Sequence, residues 1–242
     1  MSEGVAIGKL SGTPPPPVRE SGRGPGRPRG QRSEATQAKI LDAAEQLFAD
    51  RGYDGASIRD VASAAGVQVH AVGYHFGPKE ALFDTVVARR ATIMTDLRRG
   101  ALDEMRSAAG KGPLRLAELV RAYVTPFIHS AGHGEPGWRN YAALMGRLAN
   151  SPLGTEIIAR HYDDTARAYI AEFRRALPDA HDAEIVDGFL DMVAAMLSIC
   201  ARTGRSERLA GRTSPRSTDK SIETLVRFHT AGFEALAARK KG

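Results

Sequence analysis

The stretch SIRDVASAAGVQVHAVGYHFGPK, running from Ser57 to Lys79, holds two short helical patterns broken at Gly66. Ile58, Val61, Ala62 and Ala65 recur at i, i+3, i+4 and i+7, so one apolar stripe lies along the first helix. Ser57 can cap it, and Asp60 three residues on makes a capping-box-like start. Val67 then drops between the helices, and a second helix of about two turns runs to Phe76. Two short helices joined at a glycine turn have the layout of a helix-turn-helix, whose second helix enters the major groove of DNA. Gly73 sits inside that second helix at a cost of up to about 1 kcal/mol relative to Ala, which points to close approach of its backbone to DNA or to a neighbouring helix.

Upstream, Ile40, Leu41, Ala44, Leu47 and Phe48 form a stripe at helical spacing, and Gly52 after Arg51 suits the end of that helix. Tyr53 is placed to pack beneath the same end. Ordered structure is expected to start near Ser33 or Glu34. Downstream, Gly77 can cap a helix, Pro78 suits its first position, and Lys79 then falls at the second. A cation there opposes the helix dipole, which makes sense if a phosphate lies at that end; the alternative is a pairing of Lys79 with a nearby carboxylate.

From Pro78 to about Ala109 the pattern stays helical through Leu82, Phe83, Val86, Val87, Ile93, Met94 and Leu97, with Gly100 as a candidate bend. An unbroken helix of that length spans roughly 48 Å, enough to leave one domain and enter another. Further helices are expected near 114–130, 138–149, 155–177, 183–202 and 219–240. Breaks fall at 132–137, at Ser151-Pro152, at Pro178 and over 203–218, the last rich in Arg, Ser, Gly and Pro. No alternating strand pattern and no internal repeat is evident. The fold class is therefore all-α: a three-helix helix-turn-helix unit followed by a larger helical domain.

The net charge of +6 on 242 residues is mild, but its distribution is uneven. Before residue 33, Lys9, Arg19, Arg23, Arg27, Arg29 and Arg32 face only Glu3 and Glu20. Residues 1–32 hold Gly, Pro and Arg with almost no large apolar side chains and are expected to form a disordered basic arm. Within it Gly26-Arg27-Pro28-Arg29-Gly30 resembles an AT-hook, whose extended arginines fit a narrow A·T-rich minor groove; an inert tail is the other reading. Cys200 is the single cysteine, and neither a secretory signal nor an apolar run of about 18 residues occurs, so a cytoplasmic, soluble protein is expected.

Catalytic and metal chemistry finds little support. His129 and His133 are four apart, the spacing of two metal ligands on one helix face, but Gly132 and Gly134 make a helix doubtful there and no third ligand is evident. His161-Tyr162-Asp163-Asp164 on a long helix reads as a solvated face rather than an acid/base cluster. No nucleophile elbow, phosphate loop or paired Cys motif occurs. No metal, no cofactor and no enzyme activity are expected.

With these residues in view, the region from Thr36 to about Val87 closely resembles the amino-terminal domain of the TetR family of bacterial transcription regulators. The matching residues are Ile40 to Ala44, Leu47-Phe48-Ala49, Arg51-Gly52-Tyr53, Ser57 to Ala62, Ala65-Gly66-Val67, Tyr74-His75-Phe76 and Lys79 to Leu82. The resemblance implies a homodimer, with 33–79 as the DNA-binding domain and 80–242 as a helical effector-binding and dimerisation domain. It also implies phosphate contacts by Ser57, Tyr74, His75 and Lys79, and major-groove positions for Gln68, Val69, His70, Ala71 and Gly73. The chain departs from the family in having Gln68 and Val69 where a capping Ser or Thr is common, and it lacks an obvious guanine-reading arginine.

In the second domain Phe127, Trp138, Tyr141, Met145, Tyr162, Met192 and Met196 are suited to lining a cavity for a largely apolar small molecule, or equally to an ordinary core. Val186, Phe189, Leu190, Val193 and Leu197 mark one apolar face, and Ile222, Leu225, Val226, His229 and Phe233 another. Two such helices from each subunit can make a twofold four-helix interface; burial within one subunit is the alternative. The expected function is a ligand-responsive repressor released from a pseudo-palindromic operator. An effector-independent architectural DNA-binding protein and an all-helical enzyme are the alternatives.

Overall fold

The computed structural model describes residues 29–201 and 203–238, and among them no strand occurs. Residues 1–28, including Arg27, lie outside the described residues, as does the side chain of Arg29. The first helix, α1 (Arg29–Gly55), nevertheless begins four residues ahead of the boundary expected at 33. Gln31, Arg32, Glu34 and Ala35 are good helix formers, and their local preference extends α1 upstream of its first apolar residue. Gly52 interrupts α1 with φ 74° and ψ 177°, the left-handed excursion that glycine tolerates best. The chain turned there brings Tyr53 against Phe83, ring centroids 4.9 Å apart, while Phe48 meets the same ring edge-on at 4.7 Å.

Next come α2 (Ile58–Ala65) and α3 (Val69–Phe76), the expected pair of short helices. Gly66 between them has φ 66° and ψ 36°, and the Val67 amide reaches back to the Ala62 carbonyl at 3.0 Å. Val61, Ala62 and Val72 bury their side chains with Ile40, Ala44 and Phe48 of α1. The helix α4 (Lys79–Ala109) then covers the unit with Leu82, Phe83, Val86 and Val87 and continues into the second domain, where it buries Met94 and Leu102. At 31 residues it is about 46 Å long. It runs through Gly100 unbroken, so the bend considered there is absent.

The second domain contains α5 (Leu116–His133), α6 (Pro136–Leu148), α7 (Pro152–Ala176), α8 (Asp182–Cys200), α9 (Arg205–Leu209) and α10 (Thr218–Ala238). Two expectations fail at the α5 end and in the 203–218 break. Gly132 stays helical because its missing side chain lets α10 in: a Cβ there would stand 2.7 Å from Thr218 Oγ1. The break itself contains α9, which at five residues is too short to leave a periodic pattern.

The two domains are tied by charge and by backbone capping. Glu45 of α1 is buried and pairs with both Arg89 and Arg90 of α4, the Arg90 contact being 2.5 Å; Arg89 also reaches Asp42 at 2.8 Å. Arg147 of α6 donates to the carbonyls of Ala49 (3.0 Å) and Asp50 (3.2 Å), just ahead of the Gly52 break. Gly137 makes room for this arrangement, since a Cβ on it would lie 1.9 Å from Arg90 Nη2.

Candidate nucleic-acid interface

The recognition surface is built outward from the Ser57 cap. The Asp60 amide donates to Ser57 Oγ at 3.1 Å, while Asp60 Oδ2 accepts from the Ser57 amide (2.9 Å) and hydroxyl (2.6 Å). These bonds from Ser57 hold the Asp60 carboxyl below its usual range. They also occupy the one hydroxyl proton of Ser57, so the phosphate contact expected of it would have to displace Asp60. Ser57→Ala is expected to lower stability by about 1 kcal/mol, a fall in Tm of about 2–4 °C on thermal melting. A melt unchanged within error would remove the cap from the fold's energetics.

Gln68 is the cap residue of α3 but makes no side-chain capping bond, which leaves its amide group exposed for other partners. Val69, His70, Gly73 and Tyr74 lie on the exposed side of α3, with Tyr74 at 85% exposure. Val72 points inward, and Ala71 is half-buried at the edge of the face rather than at its centre. Nothing lies within 4 Å of where a Gly73 Cβ would be. The neighbouring-helix reading of Gly73 is therefore excluded among the described residues, and approach from outside is what remains.

His75 is half-buried, and its Nδ1 stands 3.4 Å from Nε2 of Gln37 on α1, a support that sequence inspection missed. Lys79 is the first helical residue of α4, with Pro78 as the cap, one position earlier than expected. Its Nζ rests 4.2 Å above the Tyr53 ring rather than on a carboxylate, while the Tyr53 hydroxyl donates to Glu80 at 2.7 Å. Burial and the Glu80 carboxylate push the Tyr53 phenol up to about 12. The face thus presents a ring-supported lysine beside a neutral phenol. Lys39 and Arg59 add exposed cations on α1 and α2.

The other expected site residues divide differently. Phe127, Tyr141, Met145, Tyr162, Met192 and Met196 are buried and Trp138 partly so. None of these seven lines the groove of about 920 Å³ that opens between α5, α8, α9 and α10 beside Ile199, Leu225, Phe228, Arg205, Arg212 and Arg216. Of the ten expected interface residues, Phe189, Leu197, Ile222, Leu225, Val226 and Phe233 are buried within this one chain; Val186, Val193 and His229 are half-buried and Leu190 is exposed. Phe233 stacks on Phe173 of α7 at 4.4 Å, and Gly188 admits its ring, so that stripe is largely intramolecular core.

His129 pairs with Asp219 at 3.3 Å, on an α5 that does extend to His133. The stretch 161–164 is only half solvated: His161 bonds Asp84 at 3.0 Å and Tyr162 is buried, whereas Asp163 and Asp164 pair with Arg167. No helix among the described residues is long and apolar enough to cross a membrane.

A three-helix unit that exposes its third helix, continued by a long helix into an all-helical body, defines a two-domain helix-turn-helix protein. Residues 40–86 match the tetR family of bacterial regulatory proteins, and residues 121–232 match the tetracyclin repressor-like C-terminal domain. The chain belongs to the TetR family. It is similar to the HTH-type transcriptional repressor KstR2 of Rhodococcus jostii, 37% identical over 75 residues, which are 31% of this chain and 32% of that protein. It is also similar to the repressor AcnR of Corynebacterium glutamicum, 34% identical over 68 residues, 28% of this chain and 36% of that protein. The chain thus spans about a third of the length of these curated relatives. A TetR-like transcriptional regulator from Rhodococcus sp. RHA1 shares the fold with a TM-score of 0.58 at 18% identity, over 82% of this chain and 96% of that one. The relatives are regulators rather than enzymes.

Proposed function

We propose that the protein is a ligand-responsive, sequence-specific transcription regulator of the cytoplasm, acting as a homodimeric repressor on a pseudo-palindromic DNA operator. The observation that carries this reading is the face of α3: Gln68, Val69, His70, Gly73 and Tyr74 exposed together on a helix fixed from behind by Val72 and by the Gly66 turn. The repressors KstR2 and AcnR support the same direction of control. Two such helices on a twofold axis would enter successive major grooves about 34–36 Å apart, or a small multiple of that. Selecting bound fragments from the native genome and footprinting them tests the reading. A protected inverted repeat is expected; uniform coating of random duplex would sink it.

Phosphate contact falls to Lys79, Tyr74 and His75 and, where Ser57 is engaged by Asp60, to the first-turn amides of Ile58 and Arg59, which a helix start leaves without partners in the helix. Lys79 need only leave the Tyr53 ring to reach a phosphate oxygen. Lys79→Ala is expected to weaken specific and random DNA alike and to reduce the slope of log K against log salt by up to about 1. Loss confined to the cognate operator would contradict a phosphate role.

The dimer surface in this reading moves to the outward sides of α8 and α10. Leu190 (57% exposed) and half-buried Val193 lie on the first. Phe228 (73% exposed) on the second joins Thr224, Arg227, Ala231 and Gly232 around a shallow depression of about 490 Å³. Asp187 and Asp191 of α8 are exposed and would meet Arg227 of the partner's α10 across an antiparallel twofold contact. An effector held in the second domain would bias the spacing of the recognition helices through α4, provided that it binds the two arrangements with different affinity.

A further inference from the structure

Among the described residues, one cation in the second domain is buried with no anion paired to it. Four charged side chains are buried among the described residues: Glu45, Arg90, Glu172 and Arg98. Glu45 pairs with Arg90, and Glu172 takes Arg106 at 2.8 Å and Arg175 at 3.0 Å. Arg98 of α4 is 1% exposed and enters no ion pair among the described residues. Its Nε donates to the Tyr123 carbonyl at 2.9 Å, and its Nη2 stands 3.5 Å from Met196 Sδ, a weak acceptor. The guanidinium lies 3.8 Å over the Tyr123 ring and 5.9 Å from both the Phe127 and Tyr162 rings. Rings and a carbonyl soften the loss of water, but they do not neutralise a charge.

The neighbouring phenols carry the same imbalance. Tyr141 of α6 and Tyr162 of α7 place their oxygens 2.5 Å apart. Two hydroxyls that share one hydrogen bond leave one proton still to be donated. Burial pushes Tyr162 up to about 12 and Tyr141 well above its ordinary value, so both remain protonated donors at neutral pH. Five helices, α4 to α8, therefore bring a guanidinium, a surplus phenol proton, aromatic faces and a flexible methionine to one place. Among the described residues no carboxylate pairs with Arg98 there, and it finds only the Tyr123 carbonyl and the Met196 sulfur as acceptors. The complement of such a site is a monoanion with an apolar body.

We infer that Arg98 is the anion anchor of the effector site, and that the effector is a small apolar monocarboxylate. Its carboxylate accepts from the Arg98 guanidinium and from the Tyr141–Tyr162 pair, while its body displaces the Met196 side chain and packs on Phe127. One guanidinium matches one negative charge, which favours a carboxylate over a doubly ionised phosphate. The inference rests on the reading of this domain as an effector domain and adds the chemistry of the ligand. It also adds a route: Arg98 ties α4 to the α5 backbone, so an anion that draws it off the Tyr123 carbonyl loosens the helix that leads to Lys79.

The test uses the full chain with benzoate as the probe and benzamide as its neutral counterpart, read by thermal melting and by Trp138 fluorescence. Benzoate is expected to raise Tm in proportion to the logarithm of its concentration, and benzamide to leave it unchanged. Arg98→Met should abolish the benzoate response while melting no lower than the parent, because it removes an unpaired buried charge. Tyr162→Phe should weaken benzoate about tenfold or more. Equal responses to benzoate and benzamide, none to either, or a benzoate response that survives Arg98→Met would each overturn the anchor. Operator binding separates the two readings: benzoate held through Arg98 without change in DNA affinity keeps the anion site and removes the effector role. Release of DNA by a neutral molecule alone does the reverse.

Discussion

Replacing Glu45 with Ala is expected to lower stability by about 3–5 kcal/mol, the largest effect of any single polar substitution considered in this chain. The carboxylate is buried between two guanidiniums, and its removal strands Arg90 in an interior position beneath Trp138, whose ring lies 4.9 Å from it. Arg89 keeps Asp42 and suffers less. For a protein of this size the loss corresponds to a fall in Tm of roughly 6–20 °C. The diagnostic comparison is the double substitution Glu45→Met with Arg90→Met, which should regain most of the loss because it removes both charges together. If the single variant melts with the parent, the cluster is a surface pairing in practice and does not hold α1 to α4.

The second large effect concerns the proposed dimer. Leu190→Glu combined with Phe228→Glu should yield a monomer whose operator affinity falls by about 10²–10⁴-fold, since each recognition helix would then bind its half-site without the benefit of its tethered twin. The variant chain should keep its helical fold, because both side chains are mostly exposed on the single chain, and should lose the concentration dependence of Tm that a dimer confers. Sedimentation gives the oligomeric state and a binding titration gives the affinity. A dimer that persists with wild-type operator affinity would move the interface off the outer faces of α8 and α10.

How much was legible in the sequence follows from what periodicity can and cannot say. The helix-turn-helix was readable because three independent signals coincided: the stripe of Ile58, Val61, Ala62 and Ala65, the Ser57–Asp60 box, and the breaking glycine at position 66, which does take a positive φ. An apolar stripe states which side of a helix avoids water, but not whether the neighbour belongs to the same chain. For that reason Phe189, Leu225 and Phe233 are expected at a subunit interface from the sequence and are buried within the single chain, while Phe228, outside the stripe, is exposed. Arg98 was invisible for the converse reason, as a charged residue on a long helix reads as solvated face. Lys79 was placed one residue late because Gly77 and Pro78 both suit a helix start; Gly77 ends α3 with φ 75° and leaves the cap to Pro78.

The two hydrogen bonds from Arg147 to the Ala49 and Asp50 carbonyls bear on how portable the DNA-reading unit is. Carbonyls near the end of a helix ordinarily find their partners in the next turn or in water. Here the Gly52 break removes the next turn, and a side chain from the other domain takes its place. Glu45 likewise draws its counter-charges from beyond residue 79. Cut at that boundary and grafted onto another body, the first three helices would carry an orphaned carboxylate and a frayed end. The sequence suggests two separable units, whereas mechanically the helix-turn-helix and its housing are a single part.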